Sequence, residues 1–163
     1  MNDTMTSPSL SKEALKTIEP GDLGRSLRGF GTNILVEDAL VYTNSIAPVL
    51  GVDVIRAEKA FALIAIPSEN QSDDQVFISH LIQIHADFTY HNNPYREHLP
   101  ENSARGLGIE LHLFETDPDA VADLADVHPD WTVLQTATNK EHGVREAYLL
   151  DMYGYCWVVS EPH

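Results

Sequence analysis

The chain of 163 residues has a single cysteine. An internal disulfide is excluded, and a zinc site built on cysteine pairs has no ligands to draw on. Basic residues are scarce: ten Lys and Arg stand against 25 Asp and Glu, a formal charge of −15. Such a surface repels phosphate backbones and anionic lipid, so nucleic acid and membrane are not expected partners. No apolar run approaches the roughly 20 residues of a membrane span. A basic end leading into an apolar stretch, the mark of a secretion leader, is also missing. With one cysteine, these features point to the cytoplasm. A phosphate-cradling glycine loop, a Ser-His-Asp order and a zinc-protease helix are absent too. What remains is a chain that is 43% hydrophobic, long enough to bury a core without help from metal or disulfide.

Its most informative stretch runs from Arg105 to Val127, RGLGIELHLFETDPDAVADLADV. After two glycines the residues alternate. Ile109, Leu111 and Leu113 point one way and Glu110, His112 and Phe114 the other, the period of a strand. An acid, an imidazole and an aromatic ring on one face suit a cavity wall. Thr116 or Asp117 then caps a helix, Pro118 fits its first turn and Asp119 favours its positive end. The same order occurs about 80 residues earlier, in GFGTNILVEDALVYTNSIAPVLG from Gly29 to Gly51. There Thr32, Ile34 and Val36 alternate with Asn33 and Leu35, Glu37 or Asp38 is the acidic cap, and Gly51 follows the helix end.

Taken in order, residues 1–28 read as an arm, partly disordered. A short helix over 11–18 is capped by Ser9 or Ser11 and ended by Pro20-Gly21, with a linker over 20–28. The first unit is strand 30–36, helix 38–49, strand 52–57, strand 60–66, a polar loop 68–75 and strand 76–85, spanning 29–85 in all. Residues 86–104 form a long connecting loop. The second unit, 105–160, repeats the order: strand 109–114, helix 118–127, strand 131–136, strand 145–151, a tight turn at Met152-Tyr153-Gly154 and strand 155–160. The fold class is α+β, two strand–helix–strand–strand–strand units.

Three stretches, NILVEDALVYTNSIAPVLG, GIELHLFETDPDAVADL and KEHGVREAYLLDMYGYCWVVSEP, resemble the vicinal oxygen chelate superfamily. This group includes glyoxalase I, extradiol dioxygenases and bleomycin-resistance proteins. The resemblance covers about Gly29 to Ser160 and is closest to the small glyoxalase-like branch. It implies curved mixed sheets around a cavity, a homodimer and a small organic ligand. Metal-dependent members carry ligands on the first and last strand of each unit. Matched on Asp38 and Asp117, those positions fall on Gly31, Gln83, Glu110 and Val158, and neither Gly31 nor Val158 offers a donor. The implied protein is therefore a metal-free binder without a cofactor. The alternative is a lyase, isomerase or dioxygenase whose divalent ion is held by His85 and Glu110. The expected cavity wall comprises Asn33, Gln83 and His85 in the first unit, and Glu110, His112, Arg145 and Tyr148 in the second. No catalytic residue is assigned. Cys156 is expected to be an inert core residue, and Arg145 a candidate clamp for a carboxylate.

Overall fold

A computed structural model describes residues 8–67, 73–99 and 104–163. Of the stretch expected to be disordered, residues 1 to about 10, residues 1–7 lie outside the described residues, as do the tip of the loop at 68–72 and residues 100–103 of the long connection, while Ser9–Ser11 are a strand instead. The chain divides into two compact units, residues 1–43 with 51–89, and residues 44–50 with 90–163.

In the first unit, β1 (Ser9–Ser11) leads into α1 (Lys12–Thr17), whose N-cap Ser11 accepts from the Ala14 amide at 3.1 Å. The region expected to be a linker is instead a second helix, α2 (Pro20–Ser26). Pro20 sits in its first turn, where a missing N–H costs nothing, so the residue expected to end one helix begins another. Strand β2 (Thr32–Val36) follows, then α3 (Ala39–Leu50), which crosses from one unit's residues into the other's. Asp38 caps α3 by accepting from the Leu40 and Val41 amides at 3.0 and 3.1 Å, and Gly51, at φ 66°, follows its end. Strands β3 (Asp53–Ala57) and β4 (Phe61–Ala65) come next, then β5 (Gln75–Phe77) and β6 (Leu81–Ala86). A 3₁₀ turn at Ile78–His80 separates the last two.

The strand expected over 76–85 is thus two strands in two sheets. β5 pairs antiparallel with β1, while β6 lies inside a four-stranded sheet of order β2-β6-β4-β3. The turn makes the transfer between sheets, and it takes Ile78 and His80 out of the alternation expected to join them to Ile82 and Ile84. In the four-stranded sheet β2 is parallel to β6 and the other pairs are antiparallel. One face carries Ile34, Ile84, Ala62 and Ile64, all 2% exposed or less. The other carries Asn33, Gln83 and Leu63 in one row and Leu35, His85 and Phe61 in the next.

The second unit opens with 3₁₀ turns at Asp87–Tyr90, which straddles the division between the units, and at Pro94–His98, both inside the expected loop. Then come β7 (Glu110–Leu113), α4 (Pro118–Asp126), β8 (Thr132–Asn139), β9 (Val144–Leu150) and β10 (Cys156–Pro162). Asp117 caps α4 as Asp38 caps α3, accepting from the amides two and three residues on, at 3.0 and 3.1 Å. The sheet order is β7-β10-β9-β8, strand for strand the order of the first unit, again with the first and last strands parallel. Leu113, Trp157, Val159, Ala147 and Leu149 make one buried face. The Trp131 indole donates to the Ser45 carbonyl at 3.3 Å, which ties residues 44–50 into this unit.

Candidate functional site

The open face of the second sheet is built by register. Glu110, Cys156 and Leu150 form one row across β7, β10 and β9. His112, Val158, Tyr148 and Gln135 form the next, and Ser160, Glu146 and Thr138 the third. Paired strand residues point to the same side, so these chains share a surface. Beside the first row lies a hollow of about 410 Å³. Its polar wall is Glu110 with Cys156, and its apolar wall includes Leu107, Ile109, Leu134 and Leu150. Leu107 is 79% exposed and Ile109 and Leu134 are each 54% exposed. Ile109 departs from the aliphatic face expected to join it to Leu111 and Leu113. Gly108, at φ 79°, turns the backbone, and β7 begins only at Glu110.

Glu110 and His112 make an exposed acid–imidazole pair, with 3.3 Å between Oε2 and Nε2. Deeper in the face, the Glu146 carboxylate is 5% exposed. The Tyr148 hydroxyl donates to its Oε1 at 2.8 Å, and Lys140 Nζ stands 3.5 Å from the same oxygen. That ammonium also lies 5.0 Å from the centre of the Tyr148 ring, a cation–π distance. The bond to Glu146, with burial and the charges of Glu146 and Glu110, pushes the Tyr148 phenol up to about 12. Burial, then the charges of Glu110 and Asp151, pushes the Cys156 thiol up. A raised thiol alkylates slowly at neutral pH, and Cys156 lines the hollow instead of sitting in the core.

The remaining expected wall residues lie elsewhere. Arg145 is on the opposite, helix-bearing face of β9. Its Nε and Nη2 donate to the two oxygens of Asp119 on α4 at 2.6 and 2.7 Å, and Nη1 donates to Asn139 at 2.9 Å. That bidentate pair holds the Asp119 carboxyl below the usual carboxylate range. Arg145 is therefore a strut between helix and sheet, which is what its odd-even offset from Tyr148 dictates. In the first unit, Asn33, Gln83 and His85 do share a face. That face is largely covered by the arm. Leu15 and Leu23, 0% and 4% exposed, form a core cluster with Leu63, Ala65 and Leu81 on the sheet, and Leu10, Ile18, Leu27 and Phe61 pack against it. A smaller hollow of about 220 Å³ remains between Leu27–Gly31 and Ile78, Leu81 and Gln83. The Phe61 ring meets His85 edge-on at 4.8 Å, and burial holds the imidazole below its ordinary value.

The metal positions of the resemblance do not form a ligand set. Gly31 lacks a side chain, and Val158 is wholly buried between His112 and Tyr148. Among the described residues no three His, Cys, Asp or Glu side chains come together in a way that could hold an ion. Glu146, Lys140 and the hollow's apolar wall were not expected from the sequence. Glu146 could have been found, since it is two residues from Tyr148 and must share its face.

Gly106 shapes the hollow's rim. A Cβ there would lie 2.5 Å from the Gly154 carbonyl oxygen and 2.5 Å from Tyr155 Cα, both backbone atoms. Gly106→Ala is expected to push the 104–108 segment away from the β9–β10 turn, at a cost of about 1–3 kcal/mol. The measurements are a lower urea midpoint and faster alkylation of Cys156.

No protein-family model matches the sequence, and no curated protein matches it. Solved structures do. A glyoxalase/bleomycin resistance protein/dioxygenase family enzyme from Burkholderia phytofirmans PsJN superposes with a TM-score of 0.58 at 15% identity, covering 81% of this chain and 96% of that one. A glyoxalase-related enzyme from Fulvimarina pelagi gives 0.57 at 13% identity, covering 83% and 88%. A glyoxalase/bleomycin resistance protein from Albidiferax ferrireducens T118 gives 0.54 at 15% identity, covering 82% and 98%. These likenesses, joined to the repeated strand order with parallel outer pairs, establish the architecture: the chain has the fold of the vicinal oxygen chelate superfamily.

Proposed function

We propose that this protein binds a small organic molecule, without a metal ion, on the open face of the second unit's sheet. The observation that carries the reading is the joining of a polar row to an apolar hollow on one surface. Glu110 and Cys156 line a space of about 410 Å³ whose other walls are exposed aliphatic side chains. A mostly apolar concavity with a few convergent polar groups is the usual form of a ligand site. The donor set argues for binding without metal, since two of the four inherited ligand positions are Gly31 and Val158. The Glu110–His112 pair by itself offers an ion two donors where three or four are needed.

The test is metal analysis of the purified protein alongside thermal shift against a panel of small molecules. The expected result is substoichiometric metal and a ligand that raises the melting temperature. At a hundredfold excess over its Kd such a ligand adds about 2.7 kcal/mol, or roughly 5–10 °C for a chain of this size. Glu110→Ala should abolish the shift while leaving the unliganded melting temperature nearly unchanged. A stoichiometric divalent ion lost in Glu110→Ala or His85→Ala would overturn the reading in favour of a metal-dependent lyase, isomerase or dioxygenase. The same preparation tests a homodimer by sedimentation, the assembly the resemblance implies.

A further inference from the structure

We infer that Glu146 fixes the Tyr148 hydroxyl as a hydrogen-bond acceptor toward the open face, so that the ligand of this face must be a hydrogen-bond donor. The inference rests on the proposal that the face binds a small molecule, and it names that molecule's polar chemistry. A phenol has one proton to give. Here it goes to Glu146 Oε1 at 2.8 Å. The hydroxyl cannot rotate toward a ligand without leaving a carboxylate, 5% exposed, short of a partner, and an unmet buried acceptor is costly. Lys140 Nζ, 3.5 Å from the same oxygen, adds a cationic neighbour to it. His142 Nε2, 3.9 Å from the other oxygen and exposed, adds another when protonated. What Tyr148 keeps for a ligand that reaches its row, the one next to the Glu110–Cys156 wall, is therefore lone pairs.

Its neighbours have the same polarity. Glu110 is acceptor-only when ionised, and its imidazole neighbour His112 is engaged with it at 3.3 Å. The charges of Glu110 and Glu146 both act on the phenol, and that of Glu110 acts on the Cys156 thiol; Lys140 offsets Glu146, so the carboxylate that faces the hollow is Glu110. A carboxylate or phosphate ester would meet acceptors and like charge. An ammonium, amidinium or amide N–H, carried on an apolar body that fits against Leu107, Ile109 and Leu134, would find partners.

Two measurements test this. Ionisation of Tyr148 is read as near-ultraviolet absorbance against pH, taking wild type minus Tyr148→Phe to isolate one phenol. It should titrate near 12 in wild type and about one unit or more lower in Glu146→Gln. An unchanged titration would show that Glu146 does not hold the proton. The second uses Cys156, the chain's single cysteine, as a reporter on the hollow's wall. Its alkylation by iodoacetamide is followed with tryptamine or its N,N,N-trimethyl analogue present, two probes of equal charge and like body that differ in ammonium N–H donors. Tryptamine should protect at about tenfold lower concentration, the worth of one good hydrogen bond. That preference should shrink to about twofold or less in Tyr148→Phe and in Glu146→Gln. Equal protection by both probes would overturn the donor requirement and leave the binding site standing. Protection by neither would overturn the binding site and this inference with it, whatever the phenol titration shows. Should Glu146→Gln fail to fold, the Tyr148→Phe comparison decides the donor requirement without it.

Discussion

Asp151→Ala lowers the stability of the protein by about 3 kcal/mol, read as a fall of roughly 6–12 °C in melting temperature. Asp151 follows the end of β9 and is 5% exposed. Its Oδ1 accepts from the amides of Tyr153 and Tyr155 at 2.9 and 3.0 Å, and its Oδ2 from the Trp157 indole at 3.0 Å. The turn it organises is closed by the Gly154 amide on the Asp151 carbonyl at 2.9 Å, with Gly154 at φ 76°. Removing the carboxylate strands the indole of a tryptophan that is 1% exposed, and water reaches it less readily than it reaches the two turn amides. Asp151→Asn keeps one carbonyl acceptor for the amides but turns a donor toward the indole or loses the pair, so about half the loss is expected. Chemical unfolding in urea of the two variants and wild type checks the order. Equal stability of all three would mean that the turn, and not the side chain, sets the β9–β10 hairpin. The hairpin also carries the hollow, since Leu150, Gly154 and Cys156 line it.

The repeat was legible because its signals are local. Alternation marks β2 and β7, an Asx cap opens each of α3 and α4, and a glycine of positive φ closes α3. The second hairpin could be read from Asp151 and Gly154 alone. What could not be read was set by distant partners. Nothing in VFISHLIQIH breaks a strand. The break at Ile78–His80 follows from β5 pairing with β1, some 66 residues away in sequence. Pro20 carries two local meanings, an end and a first turn, and only the burial of Leu23 selects the second. In the candidate site, parity was the legible part. It placed Glu110 with His112, and applied along β9 it would have placed Glu146 with Tyr148 and kept Arg145 off the wall on which it was expected. Which face stays open was not legible. The first unit's polar row and the second unit's look alike in sequence, yet one lies largely beneath the arm and the other stays exposed at Glu110 and His112.

That covering makes the arm a structural part of the first unit, and Leu15 is the residue to test it with. Leu15 is 0% exposed although it sits on a six-residue helix, α1, too short to be stable by itself. The sheet holds the helix in place, and the helix in turn completes the sheet's core. Leu15 joins Leu63, Ala65 and Leu81 in one cluster, with Val76 from β5. Around that cluster the arm is fastened by polar links: β1 on β5, a Lys12–Asp53 ion pair, and Arg56 Nη1 donating to the Ile18 carbonyl at 3.2 Å. Leu15→Ala is expected to cost about 2–5 kcal/mol, the transfer free energy plus a cavity that the sheet's backbone prevents from closing. Leu15→Asp adds a carboxylate with no partner in that cluster, next to Leu23, the arm's other buried leucine, and the expected outcome is release of the whole arm, since the polar links around the cluster are surface ones worth little each. Release is measurable in the full chain as trypsin cleavage at Lys12, Lys16, Arg25 and Arg28, all on or beside α1 and α2, together with a lower urea midpoint. If the arm were an appendage laid on a finished domain, Leu15→Asp would leave the midpoint where it was. The row that carries Gln83 and His85 would then be a second open face, and this chain would present two candidate surfaces where we assign one.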